Sequence, residues 1–208
     1  MKNALFIFFL LFAGLCQSQV RILEFKLDTI NTEQTNVDVF KFYISNIELQ
    51  FEDGSTFVEQ NSYHLIDLED EFTHKLTLQN VSRRIEKLRF TVGTDSTTNV
   101  SGALDGDLDP IKGMYWSWNS GYVNFKVEGK YEKLPFEFHI GGYLAPNATA
   151  RNVEINVVNS TSETLVVQVD VMAFLARIDI TQMNSVLIPG ANASELADLF
   201  STIFSIHE

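Results

Sequence analysis

Sulfur and rigidity are scarce in this chain: 208 residues hold one cysteine, four prolines and two tryptophans. The cysteine, Cys16, lies inside the first apolar stretch, so a chain that sheds this stretch keeps no thiol. No disulfide then staples the fold, and no thiolate site for zinc or copper forms. A domain of this length can hold together through a hydrophobic core alone. Positive charge is also short, with 15 Lys and Arg against 27 Asp and Glu and a formal net charge of −12. Such a surface repels nucleic acid and anionic membranes and attracts cations. Hydrolase motifs are missing: there is no G-x-S-x-G elbow and no H-E-x-x-H pair. A role without turnover, not an enzyme, is expected.

Long apolar runs are confined to the start. "MKN" is followed by "ALFIFFLLFAGL" and then by "CQSQ". That order predicts a secretory signal peptide over residues 1–18, too short to span a bilayer. The mature domain then covers residues 19–208, with no membrane insertion. It is exported to the periplasm, the outer surface or the medium. Cys16 raises the rival reading of a lipid anchor, which Leu15 disfavours because a small residue normally precedes a lipidated cysteine.

What the chain has in plenty is alternation. Phe40, Phe42 and Ile44 share one phase and Ile47, Leu49 and Phe51 the next, so a bulge is expected at Ser45-Asn46. "EDGS" at 52–55 then predicts a hairpin turn. Similar runs follow at Leu88/Phe90/Val92, Val123/Phe125/Val127, Phe136/Phe138/Ile140, Val153/Ile155/Val157 and Leu165/Val167/Val169. A further slip near Val171-Met172 leads into Met172/Phe174/Ala176/Ile178, read as one more strand. Short strands between turn-rich links predict one all-β domain, an antiparallel, immunoglobulin-like β-sandwich. Only Leu196, Leu199, Phe200, Ile203 and Phe204 recur at helical spacing, which predicts a C-terminal helix near 193–205.

Four histidines are available for chemistry. His139 lies between Phe138 and Ile140 and so points away from the phenylalanine face, with two glycines following it. His64 shares parity with Ile66 and Leu68, and His74 with Phe72 and Leu76, positions at a core edge. His207 follows the predicted helix. Imidazoles converging from strand and tail are a metal-site hypothesis, since imidazole is a common copper ligand. Asp105, Asp107 and Asp109 in "LDGDLDP" could cage calcium, although the ligand set of an EF-hand loop is incomplete and a plain acidic turn is favoured. Met114, Trp116 and Trp118 share one strand face, and parity places both indoles in the sandwich interior. A reading from another class is a non-catalytic adhesion or glycan-binding module, with the Trp/Tyr cluster exposed as a stacking platform.

"LDPIKGMYWSWNSGYVNFKVEGK" (108–130), "FEFHIGGY" (136–143) and "KFYISNIEL" (41–49) together resemble the MbnP-like copper-binding family, whose relatives include secreted proteins of methane-oxidising bacteria. The resemblance implies a periplasmic or secreted β-sandwich that binds one copper ion for scavenging or storage. In characterised relatives, histidines and an oxidised tryptophan supply the site, and a dihaem cytochrome c peroxidase-like partner carries out the oxidation. Carried over to this chain, His139 is the leading ligand, with His64 and His207 to complete the set. Trp116 and Trp118 match the family's Trp-x-Trp string as modified or site-lining residues. Tyr43 and Ser45 stand in "FYISN" where some relatives carry a Trp/His pair, a departure from the family pattern.

Overall fold

A computed structural model describes residues 20–28, 31–81, 83–117, 121–158 and 162–206. The predicted signal peptide, Trp118 and His207 lie outside the described residues. The strands are β1 (Val20–Leu27), β2 (Thr35–Phe51), β3 (Thr56–Val58), β4 (Tyr63–Asp67), β5 (Lys75–Gln79), β6 (Ile85–Val92) and β7 (Tyr115–Trp116). They continue with β8 (Gly121–Tyr131), β9 (Leu134–Gly141), β10 (Arg151–Asn156), β11 (Thr164–Val169), β12 (Ser185–Val186) and β13 (Phe204–Ile206). Three short α-helices join them: α1 (Ser96–Val100), α2 (Val171–Leu175) and α3 (Ala191–Phe200).

The strands form a small sheet in the order β13-β11-β1-β5 and a nine-stranded sheet with the path β10-β6-β2-β8-β9-β12. β2 is the spine of the larger one. Phe42 faces Ile66 of β4 on one edge and Phe125 of β8 on the other, whereas Ile44 faces His64 of β4 and Val92 of β6. β8 and β6 therefore follow one another along one edge of β2. The bulge predicted at Ser45-Asn46 is present there: Asn46 has φ 52°, and the register with β6 shifts between Ser45 and Glu48. The "EDGS" turn is also as predicted, with the amide of Phe51 donating to Ser55 O at 2.9 Å.

Alternation turns Phe40, Phe42, Phe125, Phe136 and Phe138 inward, where they are buried against Phe25, Val167 and Val169 of the small sheet. α3 fills the mouth of this sandwich. Its Phe200 stacks on Phe125 with ring centroids 4.0 Å apart and planes within 10°.

The expected all-β sandwich stands, with three additions to it. Two pairings, β1 with β11 and β9 with β12, are parallel. The run after Val171 is not a strand but α2, because the Asp170 side chain caps it by accepting from the amide of Ala173. The C-terminal helix stops at Phe200 rather than near 205. The Ser201 and Thr202 hydroxyls donate back to the carbonyls of Asp198 and Leu199, and Phe204–Ile206 leave the helix to pair with β11.

The outer face of the large sheet carries a second apolar cluster. Tyr43, Leu65, Tyr122 and Val123 are covered there by Leu108, Met114 and Trp116 from the excursion between β6 and β8. Met114 and Trp116 are buried, as expected, but outside the sandwich rather than in its interior. Parity reports that two side chains share a face and cannot say which face a later segment covers.

Candidate metal-binding site

Strand register builds a polar row across the outer face. Asp67 of β4 pairs with Lys41 of β2, Lys41 with Lys126 of β8, and Lys126 with His139 of β9. Cross-strand partners share a face, so the four side chains stand on the same side. The next row places Glu128 opposite Glu137. His139 thus points outward, between Phe138 and Ile140 that are buried in the core. Its Nε2 lies 2.7 Å from Glu128 Oε1, and Lys126 Nζ lies 3.0 Å from the same oxygen. Burial pushes the Glu128 carboxyl up, but Lys126 and His139 outweigh it and hold the group below the ordinary glutamate range.

Gly141 follows His139 on the same face of β9. A Cβ at Gly141 would stand 2.5 Å from Tyr122 O and 2.7 Å from Trp116 Cζ3, so the missing side chain is what admits the indole. Positions two apart on a strand are about 6.6 Å apart. His139 and Trp116, both singled out in the sequence, are therefore neighbours on one surface. Glu128 and Lys126 escaped the sequence reading. Their signal was in "NFKVEG", where they alternate with the inward Phe125 and Val127.

The other expected ligands are placed elsewhere. His64 has the parity of Ile44 and Ile66, on the inward phase at the sheet edge, with its Nε2 2.9 Å from Glu59 Oε2. It is three strand spacings, about 14 Å, across the sheet from His139, three residues along β4 from the row of His139, and on the opposite face. The structure does not bring these two imidazoles together, so one ion cannot take both. His74 directs Nε2 at Asp67 O, 2.8 Å away. Among the described residues, no three or more His, Cys, Asp or Glu side chains gather as a metal-binding group. In the acidic turn, an Asp107 carboxylate oxygen accepts from the amide of Leu65 at 3.1 Å and Asp109 accepts from Ile111 N at 2.9 Å.

His139 and Glu128 bring two donors together, one nitrogen and one oxygen, short of a closed cage among the described residues. The 2.7 Å contact between them is a hydrogen bond, and the two groups would have to part to about 2.8–3.1 Å to take adjacent positions on an ion bound at about 2.0–2.2 Å. Both are donors suited to divalent copper.

The outer cluster beside this pair is ordered by its hydroxyls. Tyr43 OH donates to Asp107 O at 2.9 Å, and burial, followed by the neighbouring Tyr122 and Asp107, pushes the phenol well above its usual range. Tyr122 packs edge-on against Tyr43 and Tyr115, with centroids 6.0 and 5.0 Å away. Tyr43, Tyr115, Tyr122 and Trp116 thus pack into a wall beside His139.

Comparison with known proteins agrees with this architecture. The MbnP family model matches residues 12–189. Among solved structures, MbnP from Methylosinus trichosporium matches with a TM-score of 0.55 and 14% identity, over 85% of this chain and 82% of that one. At that identity the likeness is one of fold. No curated protein sequence matches significantly. No helix among the described residues is long and apolar enough to cross a membrane.

Proposed function

The chain belongs to the MbnP family, and from that premise we propose that it is an exported copper-handling protein without turnover. The ion is taken at His139 and Glu128, on the outer face of the large sheet beside Trp116. The observation that carries this reading is the 2.7 Å approach of His139 Nε2 to Glu128, next to the indole that Gly141 admits. Two protein donors on a solvent-facing sheet leave the remaining positions to water or to a partner, which favours exchange of copper over permanent storage. His64 has its own carboxylate on the other face and is left out of the site. A dihaem peroxidase-like partner, if this chain has one, acts on Trp116 or Trp118. The glycan-binding alternative is disfavoured because Trp116 is only 7% exposed and offers no open ring face to a sugar.

Titration of the metal-free mature protein with copper(II), followed by calorimetry and electron paramagnetic resonance, tests the proposal. His139→Ala should abolish the tightest binding step while leaving the metal-free melting temperature nearly unchanged, whereas His74→Ala should bind as the parent does. Parent-like uptake by His139→Ala overturns the assignment. Intact-mass measurement on protein from its native host reads whether a tryptophan is oxidised.

A further inference from the structure

Where β2 begins opposite the end of β8, the sandwich interior is left open. Thr35 pairs there with Tyr131, and α2 with the loop after it forms the facing wall of a cavity of about 480 Å³. That volume lies within the range of small-molecule sites, roughly 300–1,000 Å³. Its floor is hydrocarbon: Leu175, Ile178 and Ile180 are buried there, with Met172 and Tyr131 half-buried beside them. Tyr131 is in phase with the inward Phe125 and Val127, so the cavity belongs to the face of the large sheet opposite to that of His139.

The rim carries charge of one sign. Asp179 lines the cavity, and no lysine, arginine or histidine accompanies it among the described lining residues. Thr181 fixes this carboxylate, its amide and its hydroxyl both donating to Asp179 Oδ1, at 3.1 and 2.6 Å. Both bonds go to one oxygen, which leaves Oδ2 to a ligand. A formal net charge of −12 adds to the attraction for a cation and repels an anion. The Tyr131 ring offers a π face to an ammonium group, and the unbranched thioether of Met172 adapts to the shape of an apolar body. We propose that this cavity binds a small organic cation, an ammonium group carried on an aliphatic or aromatic body. The body lies on the floor of Leu175, Ile178 and Ile180, and the ammonium pairs with Asp179. The site shares no residue with the His139–Glu128 pair and stands whether or not that pair takes copper.

The test titrates the mature protein with probes that share a phenyl body and differ in charge: phenethylamine, phenethyl alcohol and phenylacetate. Methyl resonances of Met172, Leu175 and Ile178 read occupancy of the cavity. Phenethylamine should bind about tenfold more tightly than the alcohol at low salt, and phenylacetate should not bind. Added salt should erode the preference for the amine. Asp179→Asn should bring phenethylamine down to the level of the alcohol and leave the alcohol unchanged. Ala176→Phe, at an exposed position on the cavity wall, should fill the space and abolish binding of every probe. Melting curves check that both variants are folded. Equal binding of amine and alcohol by the parent overturns the assignment to a cation. Phenethylamine binding that survives Ala176→Phe is general attraction to an acidic surface and overturns the site, as does the absence of methyl shifts with every probe.

Discussion

The two faces of the large sheet are packed with different chemistries. Inward, Phe40, Phe42, Phe125, Phe136 and Phe138 meet one another and the small sheet as bare hydrocarbon rings, with no polar atom to satisfy. Outward, over the start of β8, the cluster is Tyr43, Tyr122, Trp116 and Met114, and the segments holding it down are tied by buried amides. Asn99 accepts from the amide of Tyr122 at 2.7 Å and donates to Asp95 O at 2.8 Å. Asn124 accepts from the amide of Thr94 at 3.0 Å and donates to Thr149 at 2.9 Å. Hydrocarbon packing is strong but weakly directional, whereas a buried amide tolerates one arrangement only. The inner face therefore supplies stability, and the outer face fixes the position of the wall beside His139.

That division can be broken most forcibly from the inside. Phe200→Ala removes a ring that touches Phe40, Phe42, Phe125, Phe174 and Phe204. It should cost about 3–5 kcal/mol of global stability in urea unfolding, as for other buried aromatics. Gly141→Ala attacks the outer face. Its methyl group must displace Trp116 or the Tyr122 backbone, at a cost of about 1–3 kcal/mol. Hydrogen exchange in that variant should accelerate across the excursion between β6 and β8 while the phenylalanine core stays protected. Equal acceleration of both regions would show that the two clusters unfold as one. Asn124→Ala should cost less, about 1–2 kcal/mol, by leaving the amide of Thr94 without its partner. The same exchange experiment should report it in the excursion alone.

How much of this could be read beforehand depended on distance along the chain. The inward phenylalanines, the slip at Ser45-Asn46 and the outward turn of His139 are local consequences of a two-residue period, and all three are present. The second cluster was not legible, because the segment that covers Tyr43 lies some seventy residues further on. Nor was α2, where one capping aspartate overrides five residues that also fit a strand. At the candidate site, His139 was visible but its partners were not. Glu128 and Lys126 reach it through the β8–β9 hairpin, whose register runs unshifted from the turn between Tyr131 and Leu134 to Phe125 opposite Ile140, so the pairing follows only once that turn is placed.

The smallest expected effect lies at the edge of the outer cluster and concerns acid. Asp95 caps α1 by accepting from the amide of Thr98, and it also accepts from the Tyr63 hydroxyl. Burial pushes its carboxyl up, but these hydrogen bonds outweigh burial and hold it below the ordinary aspartate value of 3.8. A carboxyl depressed in the folded state stabilises fully above its unfolded pKa, and the contribution is lost as pH falls through the folded pKa. The excursion should therefore loosen only below about pH 3.8, ahead of the phenylalanine core, whose packing does not titrate. Asp95→Asn keeps a good capping side chain without the charge, so it should lower neutral-pH stability slightly, by what the carboxylate contributes, and remove this acid step. Tyrosine fluorescence followed from about pH 6 to pH 2.5 reads the difference, because Tyr63 lies in the titrating contact. Superimposable acid curves for the two proteins would assign the capping of α1 no part in securing the outer cluster.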